Sequence, residues 1–162
     1  MSISGFFSRL MFDREFRDKI EFLKKVVLFE GVSDKALGKI TGIMHEKKYP
    51  GGETVFNEGQ EGKLLYIVKS GEVAIIKGDK TISRLGEGQF FGEMALLEEI
   101  PRTATVKAVK DSELILMYKV KFDELLADYP SAGVKVVRNL ATMLSARVRQ
   151  AHDDILPGGS GR

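Results

Sequence analysis

Between Met44 and Val120 the chain cannot run far in one conformation. Glycine-bearing turns interrupt it at Pro50-Gly51-Gly52, Glu58-Gly59-Gln60-Glu61-Gly62, Ser70-Gly71, Gly78-Asp79 and Gly86-Glu87-Gly88. The pieces between these turns, near 43–49, 54–57, 64–69, 72–77, 80–85, 103–109 and 113–119, are short and rich in Val, Ile, Leu, Thr and Tyr. Such residues suit a pleated, half-buried surface, and glycine supplies the backbone angles that tight reversals need. Many short strands without alternating helices predict a sandwich or a barrel rather than a parallel sheet. The run Val73-Ala74-Ile75-Ile76 is apolar or small at every position, which predicts a part of that wall covered on both faces.

Helical periodicity flanks this region. Phe6, Phe7, Leu10 and Met11 fit one face of a short helix, and Phe16, Ile20, Leu23 and Val27 recur at helical spacing along a second. Asp13 is placed to cap the second stretch, with Phe12 and Phe16 as a staple across the turn. Ser33 can cap a short helix carrying Leu37, Ile40 and Ile43. After the strands, Phe122 to Tyr129 reads as a helix stopped before Pro130, and Ser131 can cap another running to about Ala151. Val134, Val137, Leu140, Leu144 and Val148 give that last helix a long apolar stripe, to be covered by the strands, by a second chain or by a ligand. The segment 153–162, with Pro157-Gly158-Gly159-Ser160-Gly161, has no core-forming pattern and is expected to be a flexible tail.

A chain of 162 residues suits one domain with helical extensions and allows a sizeable core. Its 25 basic and 23 acidic side chains are interspersed, so no broad nucleic-acid footprint is implied. Cysteine is absent, which excludes disulfides and thiolate chemistry. His45 and His152 are the only histidines and lie far apart, so a metal cluster is not expected. With no convincing Ser-His-Asp set either, an enzyme is not expected. No apolar run approaches the roughly 18 residues needed to span a bilayer, and Met1 to Phe12 lacks the basic start of a signal peptide, so a cytoplasmic location is expected.

The stretch with chemistry in it is Phe91-Gly92-Glu93-Met94-Ala95-Leu96-Leu97-Glu98-Glu99-Ile100-Pro101-Arg102-Thr103-Ala104. It reads as an anion-binding turn between two strands. Gly92 permits a backbone position closed to other residues, and the residues after it allow roughly one helical turn whose free N–H groups face a guest. Pro101 limits how the chain leaves the turn. Arg102 then returns a planar five-donor fork that suits a phosphate. Glu93 accepts hydrogen bonds only, so a guest that satisfies both residues carries a hydroxyl beside its anion. The alternative is an internal bond between Arg102 and Glu93 that braces a surface turn.

This string, with Pro101-Arg102-Thr103-Ala104-Thr105-Val106 completing it, resembles the phosphate-binding cassette of the cyclic nucleotide-binding domain family. That family includes catabolite activator protein and the regulatory subunits of cyclic-AMP-dependent protein kinase. The resemblance runs from about Leu28 to Gln150. It implies a mainly β fold: an eight-stranded antiparallel β-roll or jelly-roll barrel with N-terminal helices and two C-terminal helices. One domain then covers 1–152, divided into helices (1–43), β-roll (44–120) and C-terminal helices (121–152), as a stand-alone unit.

The resemblance also implies a ligand, cyclic AMP favoured over cyclic GMP, with Thr103 keeping the second open. Gly92, Glu93, Met94, Ala95, Arg102, Thr103 and Ala104 are its expected cassette residues, and Ala74, Ile82, Ser83 and Phe91, with Met94, are expected to line base and sugar. The protein is then a non-catalytic sensor that signals through its last helix to an effector protein or a homodimer. No recognition helix fits beyond Gln150, so direct DNA binding is not expected. The rival is a module that keeps the fold, binds no nucleotide, and bonds Arg102 to Glu93.

Overall fold

In the computed structural model the described residues are 3–155, with side chains described from Asp13 to His152. Helix α1 (Ile3–Lys24) is followed by a single 3-10 turn (Val27–Phe29) and α2 (Asp34–Gly42). Strands β1 (Met44–Tyr49), β2 (Thr54–Phe56), β3 (Leu64–Lys77), β4 (Lys80–Leu85) and β5 (Phe90–Phe91) lead to the short helix α3 (Met94–Leu97). Strand β6 (Thr105–Tyr118) and helices α4 (Lys119–Asp128) and α5 (Pro130–Ile155) complete the order.

Helix α1 runs unbroken through Asp13, which the sequence reading had placed as a cap. The Asp13 carbonyl instead accepts from Arg17 Nε at 3.1 Å, one turn along the same helix. The side chains of Phe6, Phe7, Leu10 and Met11 lie outside the described residues, as do residues 156–162 of the expected tail. Ser33 does cap α2, accepting from the Ala36 amide at 3.4 Å. Helix α5 starts at Pro130 itself rather than after Ser131, because a proline at the first helical position loses no intrahelical bond.

The strands form one six-stranded sheet in the order β1-β6-β3-β4, with β2 also on β6 and β5 also on β3. The sheet is open: β3 and β6 pair at its centre, β1 and β2 pair with β6, β4 and β5 pair with β3, and among the described residues no strand pairing closes the β1 and β2 edge onto the β4 and β5 edge. The expected closed eight-stranded barrel is therefore corrected to a mixed fold of an open six-stranded sheet with flanking helices. The miscount has a local cause. Ser70-Gly71, read as a turn, is a bend inside the 14-residue β3, where register shifts cluster between Val68 and Val73 against β6. At Gly71 φ is +92°, and a Cβ would stand 2.3 Å from Ser112 Oγ and 2.6 Å from the Asp111 carbonyl oxygen. Glycine there lets two strands cross closely instead of turning back. Ser112, buried on β6, accepts from the Glu72 amide at 3.0 Å and donates to the Lys110 carbonyl at 2.7 Å, which holds both bends in place.

Strand alternation sorts the apolar residues into two cores. Leu65 and Ile67 of β3, with Ile115 and Met117 of β6, face the helices and join Leu28, Leu37, Phe122 and Leu140. Tyr66, Val68, Leu114 and Leu116 face the other way and join Val73, Leu85, Phe91 and Val106. These strands are buried on both faces, so they hold the cassette between them on a rigid support. Helix α5 is tied down over its first half: Val136 and Leu140 are buried, and Asn139 Nδ2 donates to the carbonyls of Leu28 (3.0 Å) and Glu30 (2.9 Å).

Candidate functional site

The segment between β4 and β6 wraps a cavity of about 380 Å³. Its floor comes from strand alternation. Ile75, Ser83 and Val106 stand in register across β4, β3 and β6, and all three line the cavity together with Leu85. Its rim is the cassette, from Phe91 through Ala95 and then from Ile100 to Ala104.

Arg102 sits where these parts meet and is only 8% exposed. Nη2 donates to the Leu64 carbonyl at 2.8 Å and Nη1 to the Gly92 carbonyl at 3.5 Å. The guanidinium lies 4.2 Å from the centre of the Phe56 ring and 5.5 Å from that of Tyr66. Tyr66 in turn stacks on Phe91 at 5.0 Å. These faces are the negative ends of the ring quadrupoles, so they favour the cation while leaving its edge available. The backbone is strapped as well: the Arg102 amide donates to the Gln60 carbonyl at 2.7 Å, and the Gly59 amide to the Arg102 carbonyl at 2.8 Å.

Burial lowers the pKa of Arg102, while Tyr66 and Glu93 nearby oppose the shift; a guanidinium stays protonated throughout the biological range. Two of its five N–H donors are used on carbonyls, and the buried Nε has no protein partner. Among the described residues no carboxylate forms an ion pair with it. A buried cation of this kind is costly until an anion meets it.

Gly92 is the residue that makes room. Its φ is +73°, and a Cβ would lie 2.6 Å from Arg102 Nη1 and 2.9 Å from the Leu64 carbonyl oxygen. The turn that follows spends part of its donor set internally, because the amides of Ala95 and Leu96 bond the carbonyls of Gly92 and Glu93 at 3.2 and 3.0 Å. The free amides expected from a whole helical turn are thereby reduced.

Glu93 is 6% exposed and its bonded partner is not Arg102 but Arg147, whose Nη1 donates to Oε1. The internal Arg102–Glu93 bond weighed from the sequence is thus absent from the described ion pairs. Arg147 comes from α5, 54 positions further on, and lines the same cavity. Nothing local marks it in the sequence, where it is one of several charged residues beside the apolar stripe.

Of the residues singled out from sequence, Gly92, Glu93, Met94, Ala95, Arg102, Thr103, Ala104, Ser83 and Phe91 line the cavity, whereas Ala74 and Ile82 do not. Ala74 precedes the cavity-facing Ile75 and so points to the opposite face of β3. Ile82 stands beside Ser83 on β4 and is 61% exposed. Phe56, Ile75, Leu85 and Val106 are lining residues that sequence reasoning missed, although the alternation of β3 could have exchanged Ile75 for Ala74. Among the described residues no group of His, Asp or Glu side chains is placed to hold a metal, and no helix is long and apolar enough to cross a membrane.

A buried guanidinium and a buried carboxylate face one cavity, with Arg147 of α5 on its lining, an arrangement that suits a small ligand carrying an anion and a hydroxyl. Residues 46–129 match the family model described as the cyclic nucleotide-binding domain. The chain belongs to that family. A crystallised cyclic nucleotide-binding domain from Methylobacillus flagellatus shares 30% identity and superposes with a TM-score of 0.77, covering 93% of this chain and 87% of that one. The cyclic AMP receptor protein of Thermus thermophilus is 33% identical over 134 residues, which is 80% of this chain and 60% of the relative. A cGMP-dependent protein kinase of Toxoplasma gondii is 34% identical over 113 residues, 69% of this chain and 11% of the kinase. The chain therefore spans less than two thirds of these curated relatives.

Proposed function

We propose that this chain binds a 3′,5′-cyclic nucleotide, cyclic AMP in preference to cyclic GMP, as a non-catalytic sensor. The observation that carries the proposal is Arg102: a buried cation on a cavity wall, clasped by carbonyls and rings, with donors unspent and no carboxylate partner among the described residues. The phosphate of the ligand supplies the missing anion, and Glu93 accepts from the ribose hydroxyl. Gly92, Met94 and Ala95 border the sugar-phosphate, and Thr103, Ala104, Ser83 and Phe91 the remainder of the guest. The base preference draws support from the cyclic AMP receptor among the relatives, while the exposed Thr103 on the rim is a hydroxyl that cyclic GMP can also use.

Ligand binding shifts a conformational equilibrium only if the two states contact the ligand unequally. Helix α5 meets that condition, since Arg147 touches the carboxylate that takes the ribose hydroxyl. The output is read by an effector protein or a second copy of the chain through α5. Titration calorimetry with cyclic AMP and cyclic GMP tests the proposal. Micromolar or tighter binding of cyclic AMP that is lost in Arg102→Ala and Glu93→Ala is the expected result. No heat with either nucleotide rejects it.

A further inference from the structure

We propose that Gly62, which does not line the cavity, is a positioning residue for Arg102: its lack of a side chain lets the β2–β3 connection close on the guanidinium and fix where that charge stands. The inference deepens the cyclic nucleotide reading of the cavity and rests on it.

Residues 57–63 join β2 to β3 and meet Arg102 at its backbone and its side chain alike. Gly59 and Gln60 bond its main chain, Glu61 pairs with Pro101 beside it, and the Leu64 carbonyl at the start of β3 accepts from its Nη2. Gly62 is buried among these contacts. A Cβ there would stand 3.1 Å from Arg102 Nε and 3.2 Å from both Cδ and Cζ. Non-bonded heavy atoms settle at roughly 3.5–4.0 Å, so either the loop or the guanidinium would have to give way.

The backbone does not explain this glycine. Gly71 and Gly92 have positive φ, whereas Gly62 is not among the positive-φ positions, so its own φ leaves room for alanine. What excludes a side chain is the neighbour, and the neighbour is pinned. The Phe56 ring centre lies 4.2 Å from the guanidinium carbon, Nη2 is bonded to Leu64, and Nη1 stands where a Cβ on Gly92 would come within 2.6 Å. Two glycines and a ring therefore bound one guanidinium. A methyl group at position 62 displaces the charge from the place where a phosphate would meet it, and a grip of this kind tolerates a misplacement of only about 0.5 Å. Gly62 acts on the ligand through Arg102 alone, whereas Phe56 also lines the cavity.

Calorimetry with cyclic AMP and NMR of the Arg102 Nε–H resonance, identified by its loss in Arg102→Lys, test this on the full chain. Gly62→Ala is expected to weaken binding about fivefold to thirtyfold and to move the Nε–H resonance of the ligand-free protein. Gly42→Ala, at the end of α2, also lacks a positive φ and has nothing within 4 Å of its Cβ, so it is expected to leave both unchanged. In an Arg102→Lys background the unbranched chain can bend away from the methyl group, and Gly62→Ala is expected to cost less than about threefold there. Wild-type affinity in Gly62→Ala overturns the inference, as does an equal loss in both backgrounds or a loss with the Nε–H resonance unmoved. Should Gly62→Ala not fold alone, its folding together with Arg102→Lys upholds the contact, and failure of both shows that the glycine serves the backbone instead. If wild type binds no nucleotide, the sensor reading falls, and the Nε–H resonance still decides by itself whether Gly62 seats Arg102.

Discussion

Two arginines reach one cavity from opposite parts of the molecule, and they are held in opposite ways. Arg102 is 8% exposed, bonds two backbone carbonyls, lies over two rings and sits on a segment strapped to residues 59 and 60. Arg147 has a half-exposed side chain on a helix end whose one side-chain hydrogen bond to the rest of the domain, among the described residues, is to Glu93. The first arrangement fixes a charge for a guest and allows it little movement. The second joins a solvent-screened cation to a buried carboxylate. On the proposed reading, the first supplies a preorganised grip for the ligand, and the second ties the end of α5 to the wall of the same cavity.

The comparison breaks most sharply at the fixed end. Arg102→Ala is expected to weaken cyclic AMP binding by about tenfold to more than a hundredfold, because a charge-assisted bond contributes roughly 1.5–3 kcal/mol. Arg102→Lys is expected to fall well short of rescue, since an ammonium cannot bond both carbonyls, lie flat on Phe56 and still face an anion. Calorimetry on both variants checks this, and wild-type affinity in Arg102→Lys would show that charge alone suffices.

A second prediction concerns the turn that makes the grip possible. Gly92→Ala combines a positive φ with a Cβ 2.6 Å from Arg102 Nη1, whereas Gly59→Ala has a φ of +83° and open space around its Cβ. Strain at φ alone costs about 1 kcal/mol, and a clash adds to it. Denaturant midpoints should therefore rank wild type above Gly59→Ala above Gly92→Ala, with nucleotide affinity falling markedly only in the last. Equal loss in the two variants would remove the link between Gly92 and the placing of Arg102.

The smallest effect sets Glu93 beside a second paired carboxylate. Glu46 on β1 lies between Lys69 Nζ, 2.8 Å from Oε2, and Lys19 Nζ of α1, 2.9 Å from Oε1. Burial pushes its pKa up, but the bonds from Lys69 and Lys19 outweigh burial and bring it from an ordinary 4.5 to about 2. A carboxylate held below its unfolded value stabilises the fold fully above about pH 4.5 and loses that contribution as pH falls towards 2. Urea midpoints measured down this range should drop less steeply in Glu46→Gln than in wild type, and the nucleotide should leave the Glu46 contribution unchanged. Parallel acid limbs in the two proteins would count against it.

What was legible in the sequence follows the same division. Gly92, Glu93 and Arg102 lie within eleven positions of one another, so spacing and residue type marked a candidate turn but left a guest and an internal Arg102–Glu93 bond both open, and the resemblance to the cassette pointed to the guest. Arg147 could not, because its partner is 54 positions away and the helix face it occupies depends on how α5 docks. The strand content was legible, but strand count was not. Gly71 carries the signature of a turn, and only the close crossing of β3 over Ser112 shows it to be a bend within one long strand. The same bends set which residues of β3 and β4 face inwards, which is why Ile75 lines the cavity where Ala74 was expected, and Ile82 stands in solvent.

The most direct test is a crystal structure of the wild-type chain with saturating cyclic AMP. The account predicts the nucleotide in the cavity, with its phosphate on Arg102 and its ribose hydroxyl on Glu93. A cavity without nucleotide, or a nucleotide whose phosphate lies away from Arg102, would contradict it.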